Sequence, residues 1–213
     1  MKKLFLIILE LSICLFLVGC SASETTGSGD PPPCLYFGSF EKIAELKDIL
    51  SKDESEVYEY LKENNYHMNG LRSKSDISNL FNILDGLNML HLDSSSGYYL
   101  SSVNYDWETR QIEYFYRKED KRIRIHCYAD PNGTDASKVA DILQRWNVAD
   151  KIDFGGEEIV LYYPSGESSI SVRCCISTSN SLIDVWFYDD DKNAAKDVIE
   201  KYAISTTLNE LIA

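Results

Sequence analysis

Apolar positions along the chain change rhythm several times, and each change marks an element. From Ser39 to Asn64 the spacing is helical. Ile43, Leu46, Ile49 and Leu50 fall on one side of a segment that Ser39 can cap. Ser51-Lys-Asp-Glu54 has the form of a capping box opening a second helix through about Asn64, with Val57, Tyr58 and Leu61 facing inward. After a turn-rich stretch at Asn69-Gly70, Ser75 opens a third helix in which Ile77, Leu80, Phe81, Leu84 and Leu87 form a stripe. The rhythm then changes to strict alternation in runs at 97–106, 110–117 and 121–129. Asp135 opens another helix, with Val139, Ile142, Leu143 and Trp146, and alternating runs return at 157–164, 168–177 and 181–189. A final helix begins near Asn193 and carries Ala195, Val198, Ile199 and Tyr202.

The resulting order after the N-terminal helices is α-βββ-α-βββ-α, which predicts a tandem repeat. Asn82-Ile-Leu-Asp-Gly-Leu-Asn88 lies over Asp141-Ile-Leu-Gln-Arg-Trp-Asn147 at a spacing of 59 residues. Ile125-His-Cys-Tyr-Ala-Asp130 lies over Val185-Trp-Phe-Tyr-Asp-Asp190 at 60. Short links (Lys118-Glu-Asp-Lys121, Ser165-Gly166, Ser179-Asn180) make each triplet an antiparallel meander, and three strands need a helix over one face. The fold class expected is α+β, with antiparallel strands packed on helices as one six-stranded sheet or two sheets. The segments expected are 1–19, 20–35, a helical part at 36–92, and two βββα units at 93–150 and 151–213.

Alternation also assigns faces. Ile123, Ile125 and Cys127, Val172, Cys174 and Ile176, and Ile183, Val185 and Phe187 point to the core. The opposite face then carries Arg124, His126, Tyr128, Arg173, Trp186 and Tyr188. Aromatic and guanidinium groups of this kind are over-represented in recognition surfaces, so these six are the candidate binding face.

The N-terminus has its own pattern. Lys2 and Lys3 precede an apolar run from Leu4 to Val18, interrupted by Glu10. Fifteen residues give about 22 Å of helix, short of a ~30 Å hydrocarbon core, which favours an export signal over a spanning helix. The run ends in Leu17-Val18-Gly19-Cys20, which resembles the lipobox of bacterial lipoprotein precursors. The resemblance implies cleavage before Cys20, acylation of its sulfur, and a protein held by lipid on the extracytoplasmic side of the bacterial cell membrane. Ser21 to Pro33 then forms a linker, Ser/Gly-rich and afterwards stiffened by three prolines, that reaches at most about 40 Å.

A formal net charge of -13 over 213 residues excludes a phosphate-backbone binder, so no nucleic-acid partner is expected. The partners expected are the membrane, through the anchor, and an envelope protein, peptide or glycan. Cys34, Cys127, Cys174 and Cys175 show no Cys-x-x-Cys spacing and read as buried thiols. His67, His91 and His126 lie far apart in the sequence, and no nucleotide or nucleophile-elbow motif occurs. No cofactor or catalytic residue is assigned, and the expectation is a non-enzymatic binding module. The alternative is an envelope enzyme or accessory factor without a recognisable motif. Asp189, Asp191, Asn193 and Glu200 occupy oxygen-ligand positions of a calcium-loop pattern, but Ala194 stands where that loop requires glycine, and a helix-capping cluster is the stronger reading.

Overall fold

A short strand and three amphipathic helices begin the structure, a computed structural model that describes residues 34–164 and 169–213. The lipobox with Cys20, the linker, and the Ser165-Gly166 turn lie outside these residues. β1 (Cys34–Tyr36) leads to α1 (Phe40–Asp48), which follows Ser39 and buries Phe40, Ile43 and Leu46. α2 (Glu54–Glu63) is capped by Asp53, whose carboxylate accepts from the amides of Ser55 and Glu56. The cap expected at Ser51 therefore moves two residues on, and the Ser51 hydroxyl instead donates to the carbonyl of Asp48. Val57 and Leu61 are buried but Tyr58 is exposed, since it lies a further ~100° round the helix. α3 (Lys74–Leu84) is capped by Ser73 rather than Ser75, and Ile77, Leu80, Phe81 and Leu84 are buried as their stripe predicts.

β2 (Asn88–Leu92), β3 (Tyr99–Asp106), β4 (Gln111–Lys118) and β5 (Lys121–Tyr128) come next, followed by α4 (Thr134–Leu143). Then come β6 (Asn147–Phe154), β7 (Glu157–Tyr163), β8 (Val172–Ser177) and β9 (Leu182–Tyr188). α5 (Lys192–Tyr202), β10 (Ala203–Thr207) and α6 (Leu208–Leu211) end the chain. The protein is α+β. Eight strands form one antiparallel sheet in the order β1-β3-β4-β5-β9-β8-β7-β6, and β2 pairs with β10 in a separate ribbon. All six expected strands belong to the one sheet, joined where β5 pairs with β9. Ile125 lies opposite Val185, Ile123 opposite Phe187, and Cys127 opposite Ile183. The edges are strands that alternation does not predict. β1 has only three residues, and β6 bulges between Val148 and Asp150, which breaks its period.

Helices α1, α3 and α5 lie against one face of this sheet. Tyr114, Tyr116, Ile123, Ile125, Cys127, Ile183, Val185 and Phe187 share a core with α1, α3 and α5, and Phe40 meets Tyr114 edge-on at 5.5 Å. The β2–β10 ribbon belongs to the same layer. β10 occupies one edge of β2, while the Tyr114 hydroxyl donates to the Leu90 carbonyl at 2.6 Å and accepts from the Leu90 amide at 3.2 Å. In α4, Val139 and Leu143 are buried outside this core, whereas Ile142, expected inward, is exposed. Among the described residues no helix is long and apolar enough to cross a membrane.

Candidate functional site

Register places all six candidate residues on the face opposite the main core. Arg124 of β5 lies across from Trp186 of β9, which lies across from Arg173 of β8. His126 lies across from Asp184, and Asp184 from Cys175. Arg122 lies across from Tyr188, and Tyr128 from Leu182. Cations and rings alternate along the first of these rows. The Arg124 guanidinium is 5.3 Å from the Phe115 ring and 5.1 Å from Trp186, and Arg173 is 4.9 Å from Trp186 and 5.7 Å from Trp146. Such contacts are worth about 2 kcal/mol each when desolvated. Trp146 lies just before β6, so the chain entering that strand returns over β8 and covers this end of the face.

That cover encloses much of the candidate face. His126, Arg173 and Tyr188 are buried, Arg124, Tyr128 and Trp186 are half-buried, and Asp184 is wholly enclosed. A buried charge requires a partner and saturated hydrogen bonds, and Asp184 has both. Arg173 donates through Nε to Oδ1 at 2.7 Å and through Nη2 to Oδ2 at 2.6 Å. Trp186 Nε1 adds a bond to Oδ2 at 2.7 Å, and the Cys175 thiol lies 3.5 Å from Oδ1. Asp184 reads in the sequence as one more outward polar residue; register shows it to be the centre of the cluster. Arg124 forms its ion pair with Glu113, Nε to Oε1 at 2.5 Å. Burial holds the Glu113 carboxyl above its usual range, against the pull of Arg124.

Cys175, Asp184 and His126 share one cross-strand row, yet the order is not that of a nucleophilic relay, because the carboxylate rather than the imidazole stands in the middle. Burial and then Asp184 push the Cys175 thiol well up, so it keeps its proton. Burial, with Arg124 and Arg173 beside it, pushes His126 well down, so the ring is neutral. His126 Nδ1 lies 3.1 Å from Gln111 Oε1, an acceptor, which assigns the ring proton to Nδ1 and leaves Nε2 as a buried acceptor without a partner among the described residues.

The acidic segment after β9 is a cap. Asp191 Oδ1 accepts from the amides of Asn193 and Ala194, both at 2.8 Å, and fixes the first turn of α5. Glu200 lies nine residues further on, about 13 Å along the axis, near Lys196 at 3.9 Å. Asp189 occupies the left-handed region at φ 65° in the turn before the cap. Among the described residues no cluster of three or more His, Cys, Asp or Glu side chains is placed to hold a metal ion.

Over β3 and β4 the same face is half-buried at Ser102, Asn104, Gln111, Glu113 and Phe115, and becomes exposed at the end that carries Tyr99 and Arg117. Tyr99 is 60% exposed and lies opposite Arg117, which is exposed and lies opposite Arg122. Arg122 stacks on Tyr188 with its guanidinium 4.1 Å from the ring centroid. Tyr99, Arg117 and Arg122 lie beyond the six expected residues, although the two-residue turn at Glu119-Asp120 already fixes Lys118 against Lys121 and Arg117 against Arg122. A scan against protein-family models finds no match for this chain, and no curated protein or solved structure matches it either.

Proposed function

We propose that the protein is a bacterial lipoprotein, anchored through acylated Cys20 on the extracytoplasmic side of the membrane, and that its body is a non-enzymatic binding module. The observation carrying this reading is Leu17-Val18-Gly19-Cys20 at the end of a short apolar run, followed by a linker of thirteen residues that ends where β1 begins. Its partner is a component of the envelope, contacted through the sheet face opposite the main core. Support for that face comes from its guanidinium and aromatic composition and from the exposed end at Tyr99 and Arg117. The body is further read as two copies of one α-βββ unit. A local two-fold axis relating two such units would bring equivalent residues together at its centre, and Ile125 and Val185, equivalent in the sequence repeat, are paired there.

Labelled palmitate tests the anchor. Wild-type protein expressed in a bacterial host takes up the label and sediments with membranes, while Cys20→Ser does neither. Equal labelling of the two proteins overturns the assignment.

A further inference from the structure

The β4–β5 hairpin concentrates cations in a strongly acidic protein, and most of them are already engaged. Lys121 pairs with the buried carboxylate of Asp190. Lys118 donates to the Ser96 carbonyl at 2.8 Å, and Arg124 is held by Glu113. Arg117 and Arg122 remain. They lie directly opposite one another, and among the described residues no ion pair reaches either. Like charges in directly opposed positions destabilise a sheet, and an anion seated between them reverses the sign of that interaction. The Tyr188 ring beneath Arg122 orients its guanidinium, and a planar fork held in place loses less entropy on meeting a carboxylate.

We propose that Arg117 and Arg122 bind the carboxylate of an acidic sugar, with the exposed Tyr99 ring packing on its pyranose face. The inference rests on the reading of this sheet face as the binding surface and adds the chemical class of the ligand. Two features select a singly charged sugar unit over a dense polyanion or an acidic peptide. The first is the net charge of -13, which repels multiply charged ligands at range and leaves only short-range attraction at the hairpin. The second is the flat, exposed ring beside the guanidinium pair, which suits the polarised C–H face of a sugar.

The test is calorimetric titration of the full-length protein in detergent micelles with methyl galacturonoside, which carries one carboxylate, with the uncharged methyl galactoside, and with N-acetylglutamate amide, which carries one carboxylate and no sugar ring. Methyl galacturonoside binds the wild type, methyl galactoside does not, and the glutamate derivative binds more weakly than the acidic sugar. Arg117→Gln and Arg122→Gln each weaken methyl galacturonoside by about tenfold to a hundredfold, the loss expected for one charged hydrogen-bonding group. Urea midpoints no lower than that of the wild type show that the fold persists in both variants. Absence of methyl galacturonoside binding to the wild type, equal binding by the Gln variants, or tighter binding of the glutamate derivative each overturns the proposal. Palmitate labelling of the wild type separates the two readings. Label taken up by a wild type that fails to bind the sugar removes only the ligand class; failure of the wild type to take up label strikes the anchored-module reading itself.

Discussion

Arg173 and Asp184 meet through two hydrogen bonds, at 2.7 and 2.6 Å, in a place where neither side chain is open to solvent. The guanidinium lies between the rings of Trp146 and Trp186, and the carboxylate takes a further bond from Trp186. A buried pair of this kind adds little over an apolar replacement, but removing one partner strands the other charge. Arg173→Met therefore lowers the free energy of unfolding in urea by about 3–5 kcal/mol. Adding Asp184→Asn to it recovers more than half of that loss, since the stranded charge is then gone. A double variant no more stable than Arg173→Met alone would show that packing, not charge, holds this end of the sheet.

His126 makes stability depend on pH in a defined direction. Its pKa in the folded protein is pushed well below the ordinary value by burial and by Arg124 and Arg173. The unfolded chain therefore binds a proton that the folded chain refuses once pH falls below about 6.5. The stability this ring contributes is present above that value and is lost as pH falls, with a slope approaching ~1.4 kcal/mol per pH unit. His91 is also lowered by burial and contributes in the same sense. Glu113, raised by burial, opposes the trend nearer the ordinary carboxylate range. Urea titrations between pH 6.5 and 5.5 should show a shallower slope for His126→Gln than for the wild type, and equal slopes would refute the assignment.

What the sequence discloses follows from what its periods encode. The Ile77–Leu84 stripe and the alternation from Ile123 to Cys127 each report one buried face, and both correspond to buried residues in the fold. Alternation gives the parity of a strand and nothing about the layer above it. Arg124, His126, Tyr128, Arg173, Trp186 and Tyr188 are therefore found together as their parity requires, while the burial of His126, Arg173 and Tyr188 depends on covering chain such as that at Trp146. β6 is hidden because Asp150, Lys151 and Asp153 interrupt an edge strand that also bulges, a composition that protects an edge from pairing. Cap positions shift by a residue or two because Ser51, Asp53, Ser73 and Ser75 are all competent caps, and the one whose oxygen reaches free amides prevails.

Asp191 and Glu200 separate the capping role of the acidic segment from an ion-binding one. Asp191→Ala removes the acceptor of two amide hydrogen bonds at the start of α5 and costs about 1 kcal/mol in urea denaturation. Glu200→Ala removes only a half-exposed contact with Lys196 and changes stability by less than ~0.5 kcal/mol. Added calcium should leave both differences in place. A calcium-dependent rise in wild-type stability, absent from both variants, would restore the metal reading.

Tyr114 binds the β2–β10 ribbon to the sheet through one hydroxyl. β2 has β10 along one edge only, and at Leu90 the other edge is completed by the Tyr114 side chain, which serves both the amide and the carbonyl. Burial pushes the Tyr114 phenol well above its ordinary pKa, so the group keeps the proton it donates. Tyr114→Phe preserves the ring and its edge-on contact with Phe40 but leaves two buried backbone groups unpaired, a cost of about 1–3 kcal/mol. Because the loss is local, hydrogen exchange at the Leu90 amide should accelerate more than exchange at Ile125 in the centre of the sheet. Equal acceleration at both amides would mean that the ribbon and the sheet open as a single unit, and that this hydroxyl is not what holds them together.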